Sequence, residues 1–262
     1  MKSMYNNKIS IRFKEICSLC QSKLYLAFII GFMVSSIIDV VMSFIGIASV
    51  SEFFKNLFSQ IIGIALVTFI IWNLWVIREK SSYEDYSLLD NFRIIKVVLM
   101  ITLVIGIISS ILSISGMNSI LSIIQNSKYI QDGIVEANLS LESFERLIGF
   151  YNFASVMLII SSIFMVLVMF QGEKALNTLD YEGNLYSFNI YSFISILQII
   201  ISIILYCQLV YDPDFIKMYE MTGVKLSIGV VDIISYCVSL VSTFIGCILL
   251  SKLRNILLIK EN

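Results

Sequence analysis

The sequence contains no histidine, and that absence excludes more chemistry than any residue present supplies. A zinc site loses its commonest nitrogen ligand, and neither the H-E-x-x-H protease helix nor a Ser–His nucleophile pair can be built. No glycine-rich phosphate loop occurs, and no paired acids form a membrane-embedded motif, so no enzymatic activity is expected. Proline is nearly absent: Pro213 stands alone, in the turn signal Asp212-Pro213-Asp214. No linker rich in Gly, Ser or Pro divides the chain, so a single domain over residues 1–262 is expected.

Charge is scarce too. Only 14% of residues are charged, against about a quarter in an ordinary soluble domain. The net charge of −1 offers nothing to a nucleic acid. Five cysteines are present, with Cys17 and Cys20 as a lone C-x-x-C. Without a second pair or a histidine these read as buried or interfacial thiols, and neither a metal nor another cofactor is expected.

What the chain does have is long apolar runs; 58% of its residues are hydrophobic. Charge-free stretches cover Asn56–Ile77, Val97–Ser127, Leu147–Gly172 and Gly183–Tyr211. Each exceeds the ~20 residues a helix needs to cross the hydrocarbon core. Two more, Leu24–Ser51 and Leu226–Ser251, hold one acid each, Asp39 and Asp232. Such runs are helical in a bilayer, because an open strand edge leaves backbone groups unpaired in lipid. The expected fold is therefore an all-α membrane bundle of six spans, at 24–48, 57–77, 95–117, 150–170, 188–210 and 228–250. A β-barrel would need alternating segments of about ten residues, and none occur.

Orientation follows from the basic residues. The N-terminus, the 78–93 loop with Lys96, the 171–187 loop and the C-terminus together hold 13 of the 18 Lys and Arg. That excess predicts a cytoplasmic N-terminus and C-terminus, with 251–262 as a cytoplasmic tail. The first apolar stretch is too long for a cleaved signal peptide and reads as a signal anchor in the cell membrane. Before it, Ile9, Phe13, Ile16 and Cys20 recur at helical spacing, with Lys8, Arg12, Glu15 and Ser22 on other faces. The pattern predicts an amphipathic helix over 1–23 on the inner leaflet, its Lys and Arg meeting anionic lipid. Trp72, Trp75, Arg78 and Lys80 read as interface anchors of span 2, and Tyr181, Tyr186, Phe188 and Tyr191 as those of span 5. The longest loop, 118–149, is expected outside. Ile120, Ile123, Ile124 and Ile130 extend span 3 as a helix, and Asp132, Glu136, Glu142 and Glu145 favour a solvated hairpin.

Small and polar residues form stripes. Span 1 carries Ser36, Asp39, Ser43 and Gly46; span 3 carries Thr102, Gly106, Ser109, Ser113 and Gly116; span 6 carries Asp232, Ser235, Ser239, Ser242 and Gly246. Alternating steps of three and four keep each set on one helix face. Such faces let helices approach closely, so the first expectation is a set of helix–helix seams; the alternative is a polar path. The two aspartates favour the alternative, since a carboxylate at mid-membrane costs roughly 2.5–3.5 kcal/mol and faces protein or water. Asp39 lies roughly 15 Å below the outer end of span 1 and Asp232 roughly 7 Å below that of span 6. Snorkelling suffices for Asp232, so Asp39 leads the candidate site of Asp39, Asp232, Ser36, Ser43, Ser109, Ser113, Ser235 and Ser239. Asn73, Asn152, Gln198 and Gln208 are expected to bond across helices. At an offset of seventy residues, Ile37, Ile38, Ser43, Gly46, Ser49 and Asn56 match Ile107, Ile108, Ser113, Gly116, Ser119 and Asn126, which suggests a repeat of spans 1–2 in 3–4.

In topology the chain resembles the permease subunits of ABC-type exporters, where a short helix in the 2–3 loop docks on a separate ATPase. The resemblance implies that Arg78-Glu79-Lys80 with Leu88, Leu89 and Phe92 forms such an element. Its largest external segment falls between spans 3 and 4 rather than 5 and 6, so membership is not inferred. Three functions stay open. One is a transport or export subunit that needs a cytoplasmic ATPase or another membrane subunit, met through Arg78–Arg93 and Gln171–Ser187. Another is an accessory, immunity or regulatory membrane protein. The third is an oligomeric pore-forming effector.

Overall fold

In a computed structural model of the chain, the described residues form seven long helices, with no strand among them. The structure describes residues 2–44, 50–129, 131, 141–177, 184–211, 213 and 230–259. Within the helices, the side chains of 2–10, 39, 42–44, 50–59, 147, 177, 205–206, 208–211, 230–233 and 235–236 lie outside that description. The helices are α1 (Lys2–Gln21), α2 (Lys23–Phe44), α3 (Val50–Ser82), α4 (Leu88–Asn126), α5 (Leu141–Asn177), α6 (Tyr186–Tyr211) and α7 (Val230–Leu257).

Five stretches are long and apolar enough to cross a membrane: Gln60–Ser82, Leu88–Asn126, Leu141–Leu176, Tyr186–Ile204 and Cys237–Leu257. Ile11–Gln21 with Lys23–Ile38, bent by 52°, makes a sixth if the two are taken together. Large aliphatic side chains cover the outside of these helices. On α4 alone, Ile101, Val104, Ile105, Ile108, Ile111 and Leu112 are all more than half exposed. Water would not tolerate a surface of that kind, whereas lipid tails cover it at no cost.

Local chemistry fixes the breaks. Ser22 ends α1 and starts α2: its hydroxyl donates to Leu19 O and accepts the Tyr25 N–H, the third amide of the new helix. At the end of α3, Asp85 N–H bonds Lys80 O and Glu84 N–H bonds Ser81 O. These two bonds are the pattern of a left-handed helix stop, and Glu84 takes the positive φ of 50° that the stop requires. Asp85 then accepts from both the amide and the hydroxyl of Ser87, which leads the chain into α4.

The chain divides into two compact units. Unit 1 comprises Met1–Ile101, Phe164–Ser192 and Val230–Asn262; unit 2 comprises Thr102–Ile163 and Phe193–Gly229. In unit 1 the main core joins Ile16 and Cys20 of α1, Tyr25 and Ile29 of α2, Ile70, Leu74 and Ile77 of α3, Ile95 of α4 and Leu249 of α7. A second core joins Val168 and Ala175 of α5, Phe188 of α6 and Leu257 of α7. In unit 2, Asn152 donates to Asn118 (2.7 Å) and Gln125 to Glu145 (2.8 Å), linking α5 to the far half of α4. The helical extension expected after span 3 is present, for α4 runs to Asn126. Asp132, Glu136 and Ile130 lie outside the described residues.

Two expectations are corrected here. The apolar face of α1 does not wait for lipid: Phe13, Ile16, Cys17 and Cys20 are buried against α2, α3, α4 and α7. Arg12, expected off the apolar face and against anionic lipid, is buried as well, because carbonyls at two other helix ends accept its hydrogen bonds. Among the anchors, Trp72, Trp75 and Tyr186 do point outward, but Phe188 is only 2% exposed and belongs to the second core. A ring cannot serve as an interface anchor once α5 and α7 have closed over it.

Candidate functional site

The polar stripe of span 6 becomes a seam between α7 and α2. Ser239 Oγ lies 2.8 Å from Ser35 Oγ. One turn along, a Cβ on Gly31 would stand 2.5 Å from Ser242 Oγ, and a Cβ on Gly246 would stand 3.2 Å from the Phe28 ring. Pairing 35 with 239, 31 with 242 and 28 with 246 shows that the two helices run antiparallel. A methyl at Gly31 would first push the Ser242 hydroxyl aside, and a larger side chain would press against the backbone of α7, 3.7 Å from that Cβ at the Ser242 Cα. The Ser242 hydroxyl is buried and has no hydrogen-bond partner among the described residues.

The sequence pattern found one side of this seam and misjudged the other. Ser36, the expected member on span 1, turns back to bond Phe32 O at 2.7 Å. Phe28, Gly31 and Ser35 are the residues that meet α7, and their own three-then-four spacing was the available signal. Asp39, Ser43, Asp232 and Ser235 lie on described helix backbone, but their side chains lie outside the described residues, and Gly46 lies outside altogether. Continued one turn, the antiparallel register brings position 39 level with 235.

Span 3 behaves oppositely. Thr102, Ser109, Ser113 and Gly116 are exposed, and a Cβ built on Gly106 or Gly116 would meet nothing within 4 Å. Among the described residues no seam forms on this face of α4. Ser110, one position on from Ser109, is the buried hydroxyl instead, 8% exposed. Periodicity tells which residues share a face, not whether a neighbour covers it.

Of the amides expected to bond across helices, Asn73 and Asn152 do so. Asn73 Nδ2 donates back to Phe69 O, and its Oδ1 accepts from Asn91 (2.9 Å), whose own Oδ1 accepts from Lys80 at 2.8 Å. Lys96 of α4 pairs with Glu173 of α5 and lies 5.3 Å from the centre of the Phe170 ring. Ser187 donates to Gln171 at 2.7 Å across the start of α6. Gln208 has its side chain outside the described residues. Cys17 and Cys20 are free thiols among apolar side chains.

The 78–93 segment is largely consumed by the fold. Leu88 is fully buried against Phe13 and Cys17, with Leu89 and Phe92 packed on the same cluster. Phe13 also stacks on Tyr86, ring centres 4.0 Å apart. Arg78 donates to Cys20 O and Ser22 O, both at 3.1 Å, while Gln21 donates to Arg78 O and to Ser81 Oγ. Each side chain thus satisfies carbonyls left open at the other helix's end. Glu79, Tyr83, Glu84, Asp85 and Asp90 stay exposed.

Among known proteins nothing matches: no family model fits the chain, and no curated protein or solved structure is similar to it.

Proposed function

We propose that the chain is a six-span subunit of a transport or export assembly in the cell membrane, N-in and C-in, which works with partner proteins. The observation that carries this reading is the small, polar face of α4 from Gly106 to Gly116, where among the described residues nothing stands within 4 Å of a Cβ built on either glycine. Small residues on a membrane helix serve close approach to another helix, and a helix of a partner protein fits this face. The topology is supported by two facts taken together. The ends of α1, α3, α5 and α7 are joined by hydrogen bonds within unit 1, and the same segments hold most of the basic residues.

With Leu88, Leu89 and Phe92 turned inward, a cytoplasmic partner at the 78–93 segment would meet the acidic edge of Glu79, Glu84, Asp85 and Asp90. The same α4 face favours, as a second reading, a self-assembled pore lined by its serines.

Two measurements test the proposal. Cysteine labelling in intact cells should mark residues 118–149 from outside and leave 78–93 unmarked; labelling of 78–93 from outside would overturn the topology. Cross-linking from Ser113→Cys, followed by purification in mild detergent, should join the chain to a different protein. A ladder of the chain with itself would select the pore, and no cross-link at all would remove the α4 face as a contact surface.

A further inference from the structure

Arg12 is the only charged side chain buried among the described residues, 7% exposed. Its guanidinium donates from Nε and NH2 to Ile259 O, at 3.1 and 2.7 Å, and from NH1 to Ala175 O at 3.3 Å. Ala175 sits in the last turn of α5, and Ile259 follows the end of α7. Both carbonyls belong to helix C-termini, where backbone acceptors are left open and the helix dipole favours a cation. The planar fork of an arginine serves two such ends from separate nitrogens in a fixed geometry, whereas a lysine has only one nitrogen to share between them.

Among the described side chains of α1, none but Arg12 bonds the ends of α5 and α7. Its apolar side packs on α3 and α4 through Phe13, Ile16, Cys17 and Cys20, and its far end is fixed by the exchange between Gln21 and Arg78. The helix therefore touches the ends of α3, α5 and α7 and the beginning of α4, segments that sequence separates by up to 247 positions.

We infer that α1 is a strap: it holds the ends of α5 and α7 together through Arg12, and those two ends separate only when Arg12 lets go. The inference is independent of what the protein transports or binds. It assigns to the N-terminal helix the control of one end of unit 1 rather than a role in membrane attachment.

Hydrogen exchange on the full chain in nanodiscs tests it. In the unaltered protein, residues 12–20, 172–177 and 255–259 should open as one unit, at a common rate; separate rates for the three would overturn the strap. Arg12→Gln should raise exchange at both 172–177 and 255–259 by about tenfold or more, while 31–35 and 239–246 keep their protection. Unchanged exchange at either end, or an equal rise throughout the α2–α7 seam, would also overturn it. Arg12→Lys decides the matter should the glutamine variant not fold. Its single nitrogen replaces three separate ones, so exchange should rise at 172–177, at 255–259 or at both, while 31–35 and 239–246 stay protected; unchanged exchange at both ends, or general loosening, would sink the idea.

Discussion

Glu84 is where a single residue departs most plainly from what its position favours. A left-handed conformation costs an L-residue roughly 1–2 kcal/mol, and glycine is the usual occupant of this helix stop. Glu84→Gly should therefore stabilise the protein by about 0.5–1 kcal/mol, less than the full strain because glycine loses more freedom on folding. Thermal unfolding in detergent would measure the gain; a lower Tm would show that the Glu84 side chain holds a contact worth more than the strain. Next to it, the two hydrogen bonds from Ser87 hold the Asp85 carboxyl below the usual carboxylate range. A carboxyl whose pKa is lowered on folding stabilises the fold above its unfolded pKa. That contribution is lost as pH falls through the lowered value. Asp85→Asn should flatten this acid-side loss at the α3–α4 turn, and a pH titration of unfolding in both proteins reads it. Arg12 shows what single residues hide: nothing in its spacing separates a cation facing lipid from one seated on two carbonyls, since the partners lie over 160 positions away.

At the level of elements, the long apolar helices were legible and their partners were not. Charge-free length locates a membrane helix because lipid imposes that length directly. Which face meets which neighbour depends on other helices, and the stripes carried only half of that. The seam at α7 was visible in Ser239, Ser242 and Gly246; its counterpart at Gly31 and Ser35 was overshadowed by Ser36 and Asp39. A pair of substitutions separates a covered glycine from an open one. Gly31→Leu should cost about 2 kcal/mol or more, because overpacking a close contact forces the backbones apart. Gly116→Leu should leave the isolated chain as stable as before, since nothing stands near it. Equal losses in a thermal-stability assay would mean that the face of α4 is covered after all. For Asp39, whose neighbours were read only from register, Asp39→Asn should keep the yield of folded protein, because an amide retains polarity without charge. A marked loss of folded protein would show that the charge itself holds α2 in place.

At the scale of the whole molecule, the suggested repeat of spans 1–2 in 3–4 pairs positions 43 and 46 with 113 and 116; Ser113 and Gly116 are exposed on α4, whereas the side chain at 43 and position 46 lie outside the described residues. The length of α4 has a consequence of another kind. Its 39 residues measure about 58 Å at helical rise, close to twice the ~30 Å of a hydrocarbon core. Even its charge-free portion exceeds that thickness, and Ile120 and Ile123 at the far end are about half exposed. A rod so mismatched must lean, or drag the bilayer up around it. The protein should accordingly melt at a higher temperature in lipids with long acyl chains than in short ones. Indifference to chain length would mean that α4 is already sheathed along its upper turns. With the expected dependence, membrane thickness acts on this chain as a sorting signal, favouring the thicker membranes of a cell over the thinner.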